Sequence, residues 1–226
     1  LVLIHTEGNS LSIIEVNSET DFVAKNKDFI AFCKELSKLN FINKGNIDSL
    51  KKTKMKNSQT VEQSLIDLIA KIGEKIIIRR CKFLDGENNS IFYYIHNVIE
   101  KNIAGKIIAA VKISNLQQDN DIGFKIAMHI AASSPLSIDE KTLDTTLIDK
   151  ELEIIKAELE NSGKEKEIAE KISKGKIKKF ITDNTLINQP WFMDPKQTVG
   201  QVLKELKADN SINIIEFIRF KLGEGN

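Results

Sequence analysis

The spacing of apolar residues changes rhythm several times along the chain, and each change predicts an element. Ser12 to Val16 is a short β-branched run, which predicts a strand, and Leu1 to Val16 as a whole reads as sheet. Phe29, Phe32, Cys33 and Leu36 follow at steps of three, one and three, the spacing of one helix face. Asn40 to Thr60 is polar and lysine-rich with few apolar anchors, so a surface excursion, partly helical or mobile, is expected there. Val61, Leu65, Leu68, Ile69 and Ile72 return to helical spacing, with Gly73 as the stop signal.

Three apolar segments come next: Ile76 to Phe83, Ile91 to His96 and Lys106 to Ile113, the first two separated by the turn residues Asp85-Gly86-Glu87-Asn88-Asn89. They predict an antiparallel meander and a second sheet. Asp121 to Ser133, with Ile122, Ile126 and Ile130, predicts a well-buried helix ending before Pro135. In both halves paired isoleucines (Ile13-Ile14, Ile107-Ile108) lead through a loop to a helix. The expected fold class is therefore α+β: two related subdomains with antiparallel sheets and packed helices, residues 1–80 and 81–226.

From Ile148 the pattern becomes that of a seam, with Ile148, Leu152, Ile155 and Leu159 at steps of four, three and four and charges between them. Asn161-Ser162-Gly163 breaks it, and Glu165 to Phe180 resumes with Ile168, Ile172 and Ile177 as anchors. The pair is predicted to fold back as a projecting antiparallel helical coiled-coil hairpin, inserted in the second subdomain at about 148–181. Thr198 to Leu206 reads as a helix and Ile212 to Leu222 as a last strand returning to the sheet.

Composition narrows the function classes. A chain of 226 residues, 41% hydrophobic, can bury a sizeable core. Lys and Arg number 33 against 32 Asp and Glu, so no net field draws the whole molecule onto nucleic acid or an anionic membrane. The longest apolar runs, such as Ile107 to Val111, fall far short of the roughly 20 residues of a membrane-spanning helix. Cys33 and Cys81 sit far apart in apolar stretches and are expected to be buried free thiols in a reducing compartment rather than a disulfide. Because sheet is read from Leu1 onward, the chain is expected to begin inside a longer protein.

The search for chemistry is largely negative. No GxxxxGK followed by Ser or Thr occurs, and Ala104-Gly105-Lys106 opens a strand where a phosphate-binding loop would open a helix. GxGxxG and GxSxG are missing too. His5, His96 and His129 form no HExxH and the cysteines no CxxC, so neither sequence-local zinc signature is present. Adjacent carboxylates such as Asp139-Glu140, in a chain with 29% charged residues, read as solvated surface, and no acid or base is assigned. Most aromatic residues fall at core positions and do not interleave with arginine as base-stacking platforms would.

One segment stands apart. Thr20-Asp21-Phe22-Val23 places a carboxylate and a large ring side by side in a strand-to-helix loop. Local physics favours a structural role, with Phe22 capping the core as a hydrophobic staple and Asp21 supporting the next helix N-terminus. The other reading is a protruding wedge, an exposed ring that enters a partner's pocket with a carboxylate beside it.

The eleven residues Glu15 to Lys25, EVNSETDFVAK, resemble the signature of the translation elongation factor Ts family. Further stretches resemble it in the same order: Lys71-Ile72-Gly73-Glu74, Arg79-Arg80, Ile126 to Ala132, Gln189-Pro190-Trp191, Thr198 to Gln201, and Ile218-Arg219-Phe220 with Gly223-Glu224-Gly225. The resemblance implies a non-enzymatic guanine-nucleotide exchange factor for the GTPase elongation factor Tu, located in the cytoplasm. It also implies no cofactor, metal or nucleotide of the chain's own, and no membrane or nucleic-acid partner. It implies that Thr20, Asp21, Phe22 and Val23 bind the partner, with the Asp21-Phe22 pair entering the GTPase domain near its magnesium site, that His129 contacts that domain, and that Ile103 to Gly105 falls at another contact loop. There the chain reads Ile-Ala-Gly where the family has Ile-Gly. Family members usually begin with a small helical module, so a core with weakened exchange is expected. The alternative reading from another class is an RNA- or ribosome-associated scaffold using the lysine-rich arm Lys164 to Lys179, and a hydrolase or metalloenzyme is a more distant third.

Overall fold

The computed structural model describes residues 1–118, 120–160, 165–206 and 212–225. They form an α+β protein of two compact units, Leu1–Ala131 with Ile215–Asn226, and Ala132–Ile214. The helix break expected at Asn161-Ser162-Gly163 lies outside the described residues.

In the first unit β1 (Val2–Glu7) and β2 (Ser10–Ser18) form a hairpin. β2 pairs antiparallel with β3 (Ile76–Leu84), and β1 pairs antiparallel with β5 (Ala104–Ser114), which carries β4 (Ser90–Glu100) on its other side. A last strand, β8 (Asn213–Lys221), also pairs with β5. The meander does not build a second sheet as expected; its strands join β1 and β2 in one six-stranded sheet. The reason is that the strands bury both faces. Leu3, Ile14, Val16, Ile76 and Ile78 belong to one core cluster, while Val2, Ile4, Ile13, Leu84 and Ile108 belong to another. An unbroken apolar run is what such doubly covered strands require.

The first cluster is filled by α1 (Lys27–Ile42), α2 (Ile47–Lys52) and α3 (Val61–Ile72). Phe29, Phe32, Cys33 and Leu36 of α1 are buried there together with Leu50, Val61 and Leu68, as their helical spacing predicts. The polar segment after α1 is ordered by caps: Asn46 starts α2 and Thr60 starts α3, each side chain accepting a backbone N–H. Helix α4 (Asp121–Ser133) lies close to β4 because Gly123 has no side chain. A Cβ there would stand 2.3 Å from the Phe92 ring.

The second unit contains α5 (Thr145–Glu160) and α6 (Lys166–Asn184), which pack along each other and share the ion pair Glu158–Lys176. Along α5 the expected seam holds: Ile155 is buried and Ile148, Leu152 and Leu159 are half-buried, whereas Ile154 faces out. On α6 the expected anchors Ile172 and Ile177 are half-buried, but Ile168 is exposed and Ala169 is half-buried in its place. A short hairpin, β6 (Pro190–Trp191) and β7 (Asp194–Thr198), precedes α7 (Val199–Glu205). α7 starts with a capping box between Thr198 and Gln201, and it packs through Val199, Val202 and Leu203.

Candidate functional site

The loop that leaves β2 is held from below by the end of α3. Gly73 closes α3 with φ +79°, a conformation that suits glycine because it has no Cβ, and the turn delivers Glu74 to the loop. The Glu74 carboxylate accepts two hydrogen bonds from Thr20, one from its backbone N–H at 3.1 Å and one from its hydroxyl at 2.8 Å. Ser18 donates its hydroxyl to the Thr20 carbonyl at 2.9 Å. In return Glu19 accepts the backbone N–H of Lys75 at 3.2 Å. The sequence had marked Gly73-Glu74 only as a stretch resembling a family, and nothing local in it signals that Glu74 meets Thr20 across 54 positions.

Beyond Thr20 the chain makes one 3-10 turn, Val23–Lys25, in which successive side chains point in widely different directions. Only one of two neighbours enters the core, and it is Val23, 3% exposed; the Phe22 ring stands 77% exposed, with Asp21 exposed beside it. The core-capping staple expected from local physics is therefore not formed. Asp21 does not cap α1 either. That position belongs to Asn26, whose side chain accepts the backbone N–H groups of Asp28 and Phe29.

The other candidate site residues, Ile103, Gly105 and His129, lie inside the first unit. Ile103 packs half-buried against the cluster that also holds Val23, and its carbonyl accepts the Ile4 N–H at 2.9 Å. Gly105 is buried in β5 opposite Val2 and Val98. A Cβ there would meet Ile95 at 2.5 Å and the His96 carbonyl oxygen at 2.8 Å. His129 is fully buried in α4. The exposed part of the candidate site is thus the single loop around Thr20, Asp21 and Phe22.

A second polar centre secures the strand on which that loop sits. Glu15 of β2 is fully buried and takes hydrogen bonds from Arg79 at 2.9 Å, Arg80 at 2.6 Å and the Gly223 N–H at 2.9 Å. Two consecutive strand residues ordinarily point to opposite faces. Here the register shifts between Glu15 and Val16, leaving Arg79 as the extra residue of a bulge, and both guanidiniums turn to one carboxylate. Arg80 also stacks over the Phe220 ring at 4.4 Å. Arg219 grips the Glu224 carboxylate at 2.7 Å. Burial alone would raise the Glu15 carboxyl, but the Gly223 N–H and the two guanidiniums outweigh it and hold the group below its ordinary value.

A hollow of about 260 Å³ adjoins the loop, lined by Asn17, Ser18, Glu19, Lys75, Ile77 and Arg79. Among the described residues the buried Asn17 Oδ1 has no hydrogen-bond partner. Among the described residues no group of three His, Cys, Asp or Glu side chains could hold a metal ion, and no helix is long and apolar enough to cross a membrane. Both cysteines are free thiols. Cys33 is buried, which pushes its thiol up to about 12. Cys81 is half-buried, not fully buried as expected, because it lies on β3 at the edge of the sheet, where it donates toward the Gly45 carbonyl.

A family model described as Elongation factor TS matches residues 19–224. The chain is 38% identical to elongation factor Ts of Rickettsia prowazekii (strain Madrid E) over 231 aligned residues, covering 100% of this chain and 74% of the relative. It is 36% identical to elongation factor Ts of Methylobacterium sp. (strain 4-46), with 100% and 74% covered. For elongation factor Ts of Methylococcus capsulatus (strain Bath) the identity is 38%, with 97% and 71% covered.

Proposed function

The chain belongs to the elongation factor Ts family and is an elongation factor of protein synthesis; from that premise we propose that it is a guanine-nucleotide exchange factor for the GTPase elongation factor Tu. The observation that carries the reading is the Phe22 ring, 77% exposed on a loop whose base is hydrogen-bonded to Glu74. A large ring kept in water at a fixed position is a loss to this chain's own stability and a gain only when a partner covers it.

Exchange needs no covalent chemistry. A factor that binds the empty GTPase more tightly than the GDP-loaded one weakens GDP by the same factor, because the two equilibria are linked. In the proposed complex Phe22 inserts between elements of the GTPase domain, and the Asp21 carboxylate beside it competes for the groups that organise Mg²⁺ and phosphate. Ile103 acts from beneath, packed against the cluster that also holds Val23, while Gly105 and His129, buried in β5 and α4, act through the packing of those elements.

The lysine-rich arm lends the RNA-scaffold reading less support, since on α6 Lys171 pairs with Glu167 and Lys176 with Glu158. Lys164 lies outside the described residues. The test is stopped-flow release of labelled GDP from elongation factor Tu. Wild-type chain accelerates release, and the Asp21→Ala, Phe22→Ala double variant loses most of that acceleration. Unchanged exchange by the double variant overturns the assignment.

A further inference from the structure

We propose that Glu74 is a positioning residue for exchange, a brace that fixes the Phe22 loop through Thr20 and touches no partner itself. The inference rests on the exchange reading above and deepens it. It reassigns Thr20 from a contact to the anchored end of the loop.

The geometry is specific to the loop. Among the described residues every hydrogen bond to the Glu74 carboxylate comes from Thr20, the hydroxyl reaching both oxygens at 2.8 and 3.0 Å and the backbone N–H reaching one at 3.1 Å. A residue held at both side chain and backbone loses rotation about its own axis as well as translation. Thr20 is two positions from Phe22, so what fixes Thr20 limits where the ring can stand. The reverse contact, Glu19 to the Lys75 N–H, ties the same two segments a second time. On the far side of Phe22, Val23 is sunk in the core and Asn26 caps α1. The exposed pair Asp21-Phe22 is therefore slung between two fixed ends.

A loop held in its bound position before binding does not have to be ordered by the partner. Without the brace the ring is still present but spends less time where it can enter a pocket, and the same loss of order is charged to each encounter. Glu74 is half-buried and outside the apolar clusters, so its removal leaves the core intact.

The experiment is a double-mutant cycle on the full chain, read as release of labelled GDP from elongation factor Tu over a range of factor concentrations, with thermal melting run alongside. Glu74→Ala is expected to lower the second-order exchange rate roughly five- to tenfold, as befits loss of two hydrogen bonds to a charged group that is part-exposed. Thr20→Val, which removes the hydroxyl at nearly constant shape, reproduces part of the loss, and Glu74→Gln, which keeps one acceptor oxygen, restores part of it. In a Phe22→Ala background Glu74→Ala costs nothing further, which a merely structural role or a direct contact would not produce. Wild-type exchange by Glu74→Ala overturns the proposal, and so does a Glu74→Ala loss that persists in full without the ring. If Phe22→Ala impairs exchange while Glu74→Ala does not, only the brace fails. If Phe22→Ala itself exchanges normally, the wedge fails and the brace with it.

Discussion

Phe22 and Val23 are chain neighbours with opposite fates, and substituting each by alanine separates function from stability. Phe22 is 77% exposed and Val23 3% exposed. Full burial of a phenylalanine side chain is worth about 1.5–3 kcal/mol, so covering the exposed share of Phe22 in a complex is worth about 1.2–2.3 kcal/mol, or roughly 7- to 50-fold in affinity or rate. Phe22→Ala is therefore expected to lower exchange by that factor while leaving the urea midpoint where it was. Val23→Ala removes two methyl groups from a packed site and is expected to cost about 2 kcal/mol of stability, with exchange by the still-folded fraction much less affected. The assays are urea unfolding followed by circular dichroism and stopped-flow GDP release at several factor concentrations. The concentration series says where the loss falls. A ring inserted only as GDP leaves lowers the plateau rate, whereas one already bound in the GDP complex raises the half-saturating concentration alone. A Phe22→Ala protein that exchanges within about twofold of wild type, or that unfolds several kcal/mol more readily as a core phenylalanine would, refutes the reasoning.

Two further substitutions probe the frame that carries the loop. Glu15→Gln leaves Arg79 and Arg80 facing a neutral amide in a buried site and should cost about 3–5 kcal/mol in urea unfolding at pH 7. Because the folded Glu15 carboxyl is held below its ordinary value of 4.5, its contribution is fully present above pH 4.5 and drains away as pH falls through the lower folded value; the gap between wild type and variant should narrow only below that pH. Gly123→Ala sets a methyl against the Phe92 ring, where an ideal Cβ stands 2.3 Å away, and is expected to destabilise by about 1–3 kcal/mol, with part of that recovered by Phe92→Leu in the same melting assay.

Much of the architecture was legible because burial in this chain has a period. The faces of α1 and α3, the stop at Gly73, the seam of α5 and the extent of α4 all follow from apolar spacing and a few capping residues. What was not legible depends on partners distant in sequence. The single sheet could not be told from two, since a strand covered on both faces reads the same whichever neighbour it pairs with. The bulge that turns Arg79 and Arg80 onto Glu15 is a slip of one residue between strands 65 positions apart, with no mark in either. On α6 the surface is so charged that Ile168 looked like an anchor, while the smaller Ala169 takes the inward position. Phe22 is the instructive case. Local rules send a phenylalanine beside a helix start into the core, and they would have been right had Val23 not filled the place. A ring displaced by its smaller neighbour, then held out in water by hydrogen bonds at the base of its loop, conflicts with the consistency that the rest of the fold obeys. Such conflicts are expected where a surface serves a partner and not the fold, and the same residue that sequence patterning misplaced is for that reason the one on which the functional reading turns.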